Sequence, residues 1–301
     1  MLSRNGSGYI SVITPIKNYE KGIHKIEYCI NQLPEKNFEL ILIHDCDDLK
    51  SSIELSKLLD MNSIPSVKLI QGQFGNPGSA RNAGLRIANG NWITFWDSDD
   101  LPEVNRYLQM ADLGSLYNYE CVIGGFTVVD DASLKADREF LFGINPLLDI
   151  YSNPGIWRFI FERKSISEIS FRDFRMAEDQ LFIAEYDLPN RKIGYFEESV
   201  YKYFVGNTNH ATSQKIPISD LPKVTQIIKK LLMKSHVSSR QMLATFLVKQ
   251  VFTAVRRGSI LTKIYSMFLF AYYIIILPIK IKFRIIAIFS SFLLSRDSSY
   301  K

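Results

Sequence analysis

The 301-residue sequence is poor in cysteine: Cys29, Cys46 and Cys121 are odd in number, widely spaced and without any C-x-x-C pair. A disulfide framework or a zinc site is therefore not expected. No internal repeat is visible, which sets aside a solenoid. The N-terminus, MLSRNGSGYISVITP, lacks a long apolar run after its arginine, so it does not read as a secretory signal, and a reducing cytoplasmic setting is expected. A glycine-rich, cation-bearing loop after the first strand is missing too. The strand runs into Ile16-Lys17-Asn18-Tyr19, which argues against a nucleotidyltransferase. Acid is scarce at the C-terminal end. Residues 216–301 carry 14 Lys or Arg against only Asp220 and Asp297, for +12, whereas the residues before them carry 22 against 29, for −7. An acidic body and a basic, apolar tail point to a soluble part and a part that meets an anionic membrane surface rather than nucleic acid.

With 47% hydrophobic and 22% charged residues the chain has the means to fold. Tyr9 to Thr14 (YISVIT) is a β-branched run stopped by Pro15, and Phe38 to His44 (FELILIH) is a second, ending in Asp45, Asp47 and Asp48. Gly22 to Leu33 between them fits a helix, which makes a β-α-β unit and predicts parallel strands. Residues 51–60 fit another helix and Val67 to Gln71 a third strand. The turn at Gly75-Asn76-Pro77-Gly78 precedes a helix over Ser79 to Ala88, closed by Asn89-Gly90. Trp92 to Trp96 (WITFW) is apolar throughout, as in the centre of a sheet. Val122 to Val129 and Lys192 to Phe204 read as later strands. In open α/β sheets ligands bind beyond the carboxyl ends of the strands, and Pro15, Asp45 and Asp97 each lie just past such an end.

The strongest local signal is Asp97-Ser98-Asp99-Asp100. Mg²⁺ and Mn²⁺ take oxygen ligands, and Mg²⁺ commonly uses one or two carboxylates with substrate phosphates and water. A D-x-D sequence alone also fits an acidic, solvated turn.

Taken in order, four blocks resemble the inverting family 2 glycosyltransferases of the GT-A fold. They are Val12-Ile13-Thr14-Pro15 with Asn18, Ile41-Leu42-Ile43-His44-Asp45, Gly78-Ser79-Ala80-Arg81-Asn82-Ala83-Gly84-Leu85, and Phe95-Trp96-Asp97-Ser98-Asp99-Asp100. Ala177-Glu178-Asp179-Gln180-Leu181-Phe182 is similar to the family's acceptor-side E-D motif. The resemblance covers about residues 9–213. It implies a Rossmann-like, mostly parallel sheet flanked by helices, with residues 1–215 as the catalytic domain: 9–100 for the nucleotide-sugar and 101–215 for the acceptor.

It also implies roles. Pro15 and Asp45 would line the pocket of the donor base, uracil for a UDP-sugar. Arg81 would lie near the nucleotide, with a helix-surface arginine as the plainer reading. Asp97 would approach the ribose or the metal, Asp99 would ligate Mn²⁺ or Mg²⁺, and Asp100 would support or replace it. Asp179 resembles the catalytic base, with Glu178 as its rival. His210 would touch the metal or diphosphate. The chain departs from the family at His44-Asp45-Cys46-Asp47, at Pro15-Ile16-Lys17-Asn18, and at Val205, where an arginine is usual. The implied activity is sugar transfer to a glycan or lipid-linked acceptor in cell-surface polysaccharide synthesis, at the cytoplasmic membrane face. A catalytically dead binding module of the same fold is the alternative.

Residues 216–301 read as a helical, membrane-associating extension. Val224, Ile227, Ile228, Leu231 and Leu232 form one apolar face after Pro222, and Ser238-x-x-Gln241 suggests a capping box opening the next helix. Ile264 to Ile279 is slightly short of the ~20 residues that span a bilayer. Together with Ile285 to Leu294, and with Lys280, Lys282 and Arg284 between them, it fits helices lying in the interface.

Overall fold

Runs of β-branched and aromatic residues make the central strands and bury most of their side chains. A computed structural model describes residues 8–17, 19–34, 36–46, 53–57, 66–206, 220–257, 259–276 and 285–286. Asn18, Asp47, Asp48, His210 with its loop, Lys280, Lys282 and Arg284 lie outside the described residues.

The described contacts divide the chain into two units. The first comprises residues 1–146, 155–173 and 191–208 and holds a nine-stranded sheet. Strands β1 (Ile10–Ile16), β2 (Phe38–Asp45), β3 (Val67–Gly72) and β4 (Trp92–Phe95) lie in the order β3-β2-β1-β4 and pair in parallel. Ile13 stands opposite Ile41 on one side and Phe95 on the other; β4 ends there, while β1 and β2 run on to Ile16 and Asp45. Helices α1 (Tyr19–Asn31) and α2 (Pro77–Ile87) make the connections around them. Residues 53–57 are also helical.

Helix α2 starts two residues earlier than its pattern suggests. The Asn76 side chain accepts from the Ser79 amide at 2.9 Å, and Pro77 fits the first turn, where no amide partner is needed. Gly84 allows α2 to lie on β1, because a Cβ there would come within 2.4 Å of Ile13.

The second half of this sheet is mixed. After β5 (Leu101–Pro102) and helix α3 (Val104–Tyr117) come β6 (Cys121–Asp130), β7 (Ala136–Phe140), β8 (Phe159–Glu162) and β9 (Ile193–Val205). The order continues β4-β8-β6-β9-β5, with β7 on β6. Strand β8 pairs antiparallel with β4 and β6, whereas β6 and β9 are parallel. The sequence signalled β6 and β9 but not β8, whose four residues, FIFE, are too few to carry a period.

The second unit comprises residues 147–154, 174–190 and 209–301. It contains most of α4 (Pro146–Ser152), then α5 (Glu178–Tyr186), α6 (Asp220–Lys234), α7 (Val237–Arg257) and α8 (Ile260–Ile276). The E-D segment therefore groups with the C-terminal helices rather than with the sheet. Leu221, Val224, Ile228 and Leu232 of α6 and Met242, Phe246, Leu247 and Val251 of α7 are fully buried. The proposed capping box is not formed. Helix α7 begins at Val237, and the Ser238 hydroxyl donates to the Asn190 side chain at 2.9 Å instead.

Helix α8 is inverted. Thr262, Ser266 and Tyr273 are buried, while Ile260, Leu261, Ile264, Phe268 and Ile275 are exposed, with Phe268 at 72%. Among the described residues no helix is long and apolar enough to cross a membrane.

One buried charge ties the far end of the parallel strands together. Glu39 on β2 accepts from Ser11 at 2.5 Å, the Asn89 amide at 2.7 Å and Lys68 at 2.6 Å. Burial alone would push its carboxyl up, but these hydrogen bonds outweigh it and hold the carboxyl below the usual glutamate range. Its contribution to stability is thus present above the unfolded value and lost as pH falls through the folded one. Glu39→Ala should lower the unfolding free energy by about 2–4 kcal/mol above about pH 5, because the other partners are left buried. Denaturant titrations across pH should show that gap closing as pH falls.

Candidate active site

The site is built where the parallel strands end. Strand β4 runs into Asp97, Ser98 and Asp99, all half-buried, while Asp100 is 2% exposed. The turn is fixed from three sides. The Asp97 amide donates to the Tyr201 hydroxyl at 2.9 Å, and Tyr201 is stacked on Trp157 at 4.5 Å between ring centroids. The Asp100 carboxylate accepts from the Phe204 amide at 2.8 Å. Lys25 of α1 donates to the Asp99 carbonyl at 2.6 Å, pairs with Asp131 at 3.1 Å, and sits 3.5 Å above the Phe204 ring. The end of β9 and one lysine of α1 therefore hold the turn. Burial first, then the charges of Asp99 and Asp97, push the Asp100 carboxyl well above the usual carboxylate range, with the Phe204 amide and Lys25 pulling the other way. Asp100 supports the turn from beneath and does not form its rim.

Arg81 is not a surface arginine. It is 4% exposed on α2 and donates to the Asp97 carboxylate at 2.8 Å, with its guanidinium 5.4 Å from the Phe171 ring. The next residue clamps that same aromatic segment: Asn82 donates to the Phe171 carbonyl and accepts from its amide, both at 2.8 Å. Gly78 closes the contact, since a Cβ there would meet the Arg172 carbonyl at 2.9 Å. The conspicuous residues of the Gly78–Leu85 block thus divide the work. Gly78 lets two backbones approach, Arg81 makes a salt bridge, Asn82 forms a clamp, and Gly84 packs on β1.

At the end of β2, Asp45 is buried. It accepts from the Phe74 amide at 2.6 Å and the Gly75 amide at 3.2 Å, and its other oxygen lies 3.7 Å from Lys17. Its carboxylate shapes the loop after β3. Pro15 is half-buried in β1, in register with Ile43.

Within the second unit, Glu178 and Asp179 form the first turn of α5, and Ala177 ahead of them is in the left-handed region at φ 62°. The Gln180 amide donates to the Asp179 carboxylate at 2.7 Å. A carboxylate at a helix N-terminus is favoured by the backbone dipole.

Among the described residues no group of three or more His, Cys, Asp or Glu side chains forms a metal cage. The oxygen donors that are present fit a different kind of site. Asp97 and Asp99 are the two accessible carboxylates of the turn, and Mg²⁺ or Mn²⁺ held by two carboxylates completes its shell with diphosphate and water oxygens. Lys25, Asn82, Phe171 and Tyr201 were given no functional role from the sequence. Only Asn82 lay inside a motif block.

Residues 11–176 match the family model described as "Glycosyl transferase family 2", and the chain belongs to that family. It is 26% identical over 219 residues to the poly(ribitol-phosphate) beta-N-acetylglucosaminyltransferase TarP of Staphylococcus aureus, covering 70% of this chain and 66% of TarP. It is 25% identical over 209 residues to the poly(ribitol-phosphate) beta-glucosyltransferase of Bacillus spizizenii, covering 65% of this chain and 32% of that protein. The chain thus spans less than two thirds of the length of either. In fold it is similar to S. aureus TarS 1-349 in complex with UDP-GlcNAc, with a TM-score of 0.71, 17% identity, and coverage of 97% of this chain and 93% of that one. It is also similar to the mannosyltransferase PcManGT of Pyrobaculum calidifontis in complex with GDP-Man and Mn²⁺, at a TM-score of 0.55, 12% identity and coverage of 96% and 88%. The fold is GT-A-like.

Asn82→Ala should remove both clamps on Phe171 and lower the unfolding free energy by about 2 kcal/mol. Chemical denaturation measures it; a loss under about 0.5 kcal/mol would mean the clamp contributes little.

Proposed function

We propose that the chain is a metal-dependent, inverting glycosyltransferase that moves a sugar from a UDP-sugar to a surface-glycan acceptor. The observation that carries this reading is the Asp97–Asp100 turn, anchored from beneath and presenting Asp97 and Asp99 at the strand ends of a family 2 fold. Asp99 and Asp97 would hold Mn²⁺ or Mg²⁺, which when bound neutralises the diphosphate leaving group. Arg81 fixes the Asp97 carboxylate. Pro15 and Asp45 bound the place of the donor base, and His210 is a candidate diphosphate contact.

Asp179 acts as general base, with Glu178 the rival. It takes the proton of the acceptor hydroxyl as that oxygen attacks the anomeric carbon. The bond from that carbon to the diphosphate oxygen breaks on the opposite face, and the configuration inverts. The names of the relatives make UDP-GlcNAc the first donor to test and a ribitol-phosphate polymer the first acceptor. The catalytic part is proposed to span residues 1–215 and the basic extension 216–301.

Transfer should be lost in Asp99→Asn with the fold intact. Asp179→Asn should still bind UDP but lose about 10²–10⁴-fold in kcat. A normal rate in Asp99→Asn, with or without Mn²⁺ or Mg²⁺, would remove the metal site from the account. Retained anomeric configuration in the product would remove the single-base mechanism.

The inverted helix α8 supports a second element, attachment to the cytoplasmic face of the membrane near a lipid-linked acceptor. Its outward Ile260, Ile264, Phe268 and Ile275 form an apolar stripe in a unit rich in Lys and Arg, the pairing that anionic headgroups and acyl chains accept together. The full-length protein should sediment with anionic vesicles, less so at high salt. Phe268→Glu with Ile275→Glu should abolish that binding and leave donor hydrolysis unchanged. Sedimentation that ignores either change would contradict the attachment.

A further inference from the structure

Lys17 has no part in the steps above, and it lies in one of the segments where the chain departs from its family. It is the first residue past β1, and Asp45 is the last of β2. Because Ile16 stands opposite His44, the next step of the register sets Lys17 beside Asp45. One Asp45 carboxylate oxygen is committed to the Phe74 and Gly75 amides; the other lies 3.7 Å from the Lys17 ammonium. The Asp45 side chain is 8% exposed and that of Lys17 57%, so a fixed acceptor stands next to a donor that can turn. An ion pair of this length with an exposed lysine adds little to stability. The Phe74 ring closes the corner. Gly72 is the register partner of Asp45 across β2 and β3, and a Cβ on Gly72 would come within 3.1 Å of that ring. An aromatic ring therefore rests on the end of β3 next to the pair. All these residues belong to the first unit.

From this geometry we infer that Lys17 is a specificity-determining residue for the donor base. Its ammonium donates to a ring carbonyl while the neighbouring Asp45 oxygen accepts from the adjacent ring N–H. The inference deepens the reading of Asp45 as a boundary of the base pocket and rests on it. A carboxylate only accepts and an ammonium only donates, so the pair matches one arrangement of edge atoms, an N–H beside a C=O. Uracil offers that edge in N3–H and O4, and each of its hydrogen bonds meets a charged partner. Cytosine reverses both positions. Its N3 lone pair would meet the carboxylate and its N4 amine the ammonium, which leaves a part-buried carboxylate without its donor. Adenine reverses them in the same way. Guanine presents the same edge as uracil, so the pair reads the lactam and leaves ring size to other residues. Asp45 alone checks one atom of the base; Lys17 adds a check on its neighbour.

The test is titration calorimetry of UDP and CDP, in buffer with Mn²⁺, on the full-length wild type and on Lys17→Met. The two nucleotides share ribose and diphosphate, so the ratio of their affinities isolates the edge of the base. The wild type should prefer UDP by on the order of 100-fold. Lys17→Met should lower UDP affinity about tenfold and leave CDP affinity unchanged or raised, so that the preference narrows. An equal fall for both nucleotides means Lys17 acts only as a cation near the diphosphate, and overturns the inference. Unchanged UDP affinity places Lys17 outside the site and overturns it as well. Either result leaves the reading of the donor site standing. A wild type that binds no UDP overturns that reading, and the inference with it.

Discussion

Three carboxylates in four residues repel one another, and the site depends on how that repulsion is resolved. One of them, Asp100, is taken out of water and set against the Phe204 amide. A second, Asp97, is neutralised by a buried arginine. The third, Asp99, is half-buried and is held by its backbone carbonyl, which accepts from Lys25. Burial and like charge push the Asp100 carboxyl well above the usual carboxylate range. Two carboxylates with separate supports are suited to a cation that also needs diphosphate oxygens.

The supports are themselves secured by the core. Tyr201 is held between the Asp97 amide and the Trp157 ring, and Trp157 accepts a hydrogen bond from Tyr107 through its carbonyl at 2.5 Å. Phe204 serves twice, by its amide and by the ring under Lys25. Because Tyr201, Tyr203 and Phe204 sit on one strand, any displacement of the end of β9 reaches the turn directly.

The parallel half of the sheet was legible because each strand is a short apolar run ending in a residue of distinctive chemistry: Pro15, Asp45, Asp97. The Gly78–Leu85 block was legible as a unit, but the individual contacts of Arg81 and Asn82 were not. A helical arginine looks the same in sequence whether it faces water or a carboxylate sixteen residues on. Lys25 left no trace at all, since its importance comes from a meeting of α1, β9 and the turn that no local pattern encodes. Strand β8 was lost to its brevity, and the Ser238 hydroxyl, which looked like a cap, found Asn190 instead. The inversion of α8 could not be read from composition, because polarity alone does not say which face packs.

The central claim is that Asp97 and Asp99 together hold a divalent cation against the donor diphosphate. Anomalous diffraction from crystals grown with Mn²⁺ and UDP tests it most directly. The account predicts one manganese peak bound by the Asp99 carboxylate, with Asp97 beside it and the diphosphate oxygens completing the shell. A peak elsewhere, or UDP bound with no metal at this turn, would contradict it.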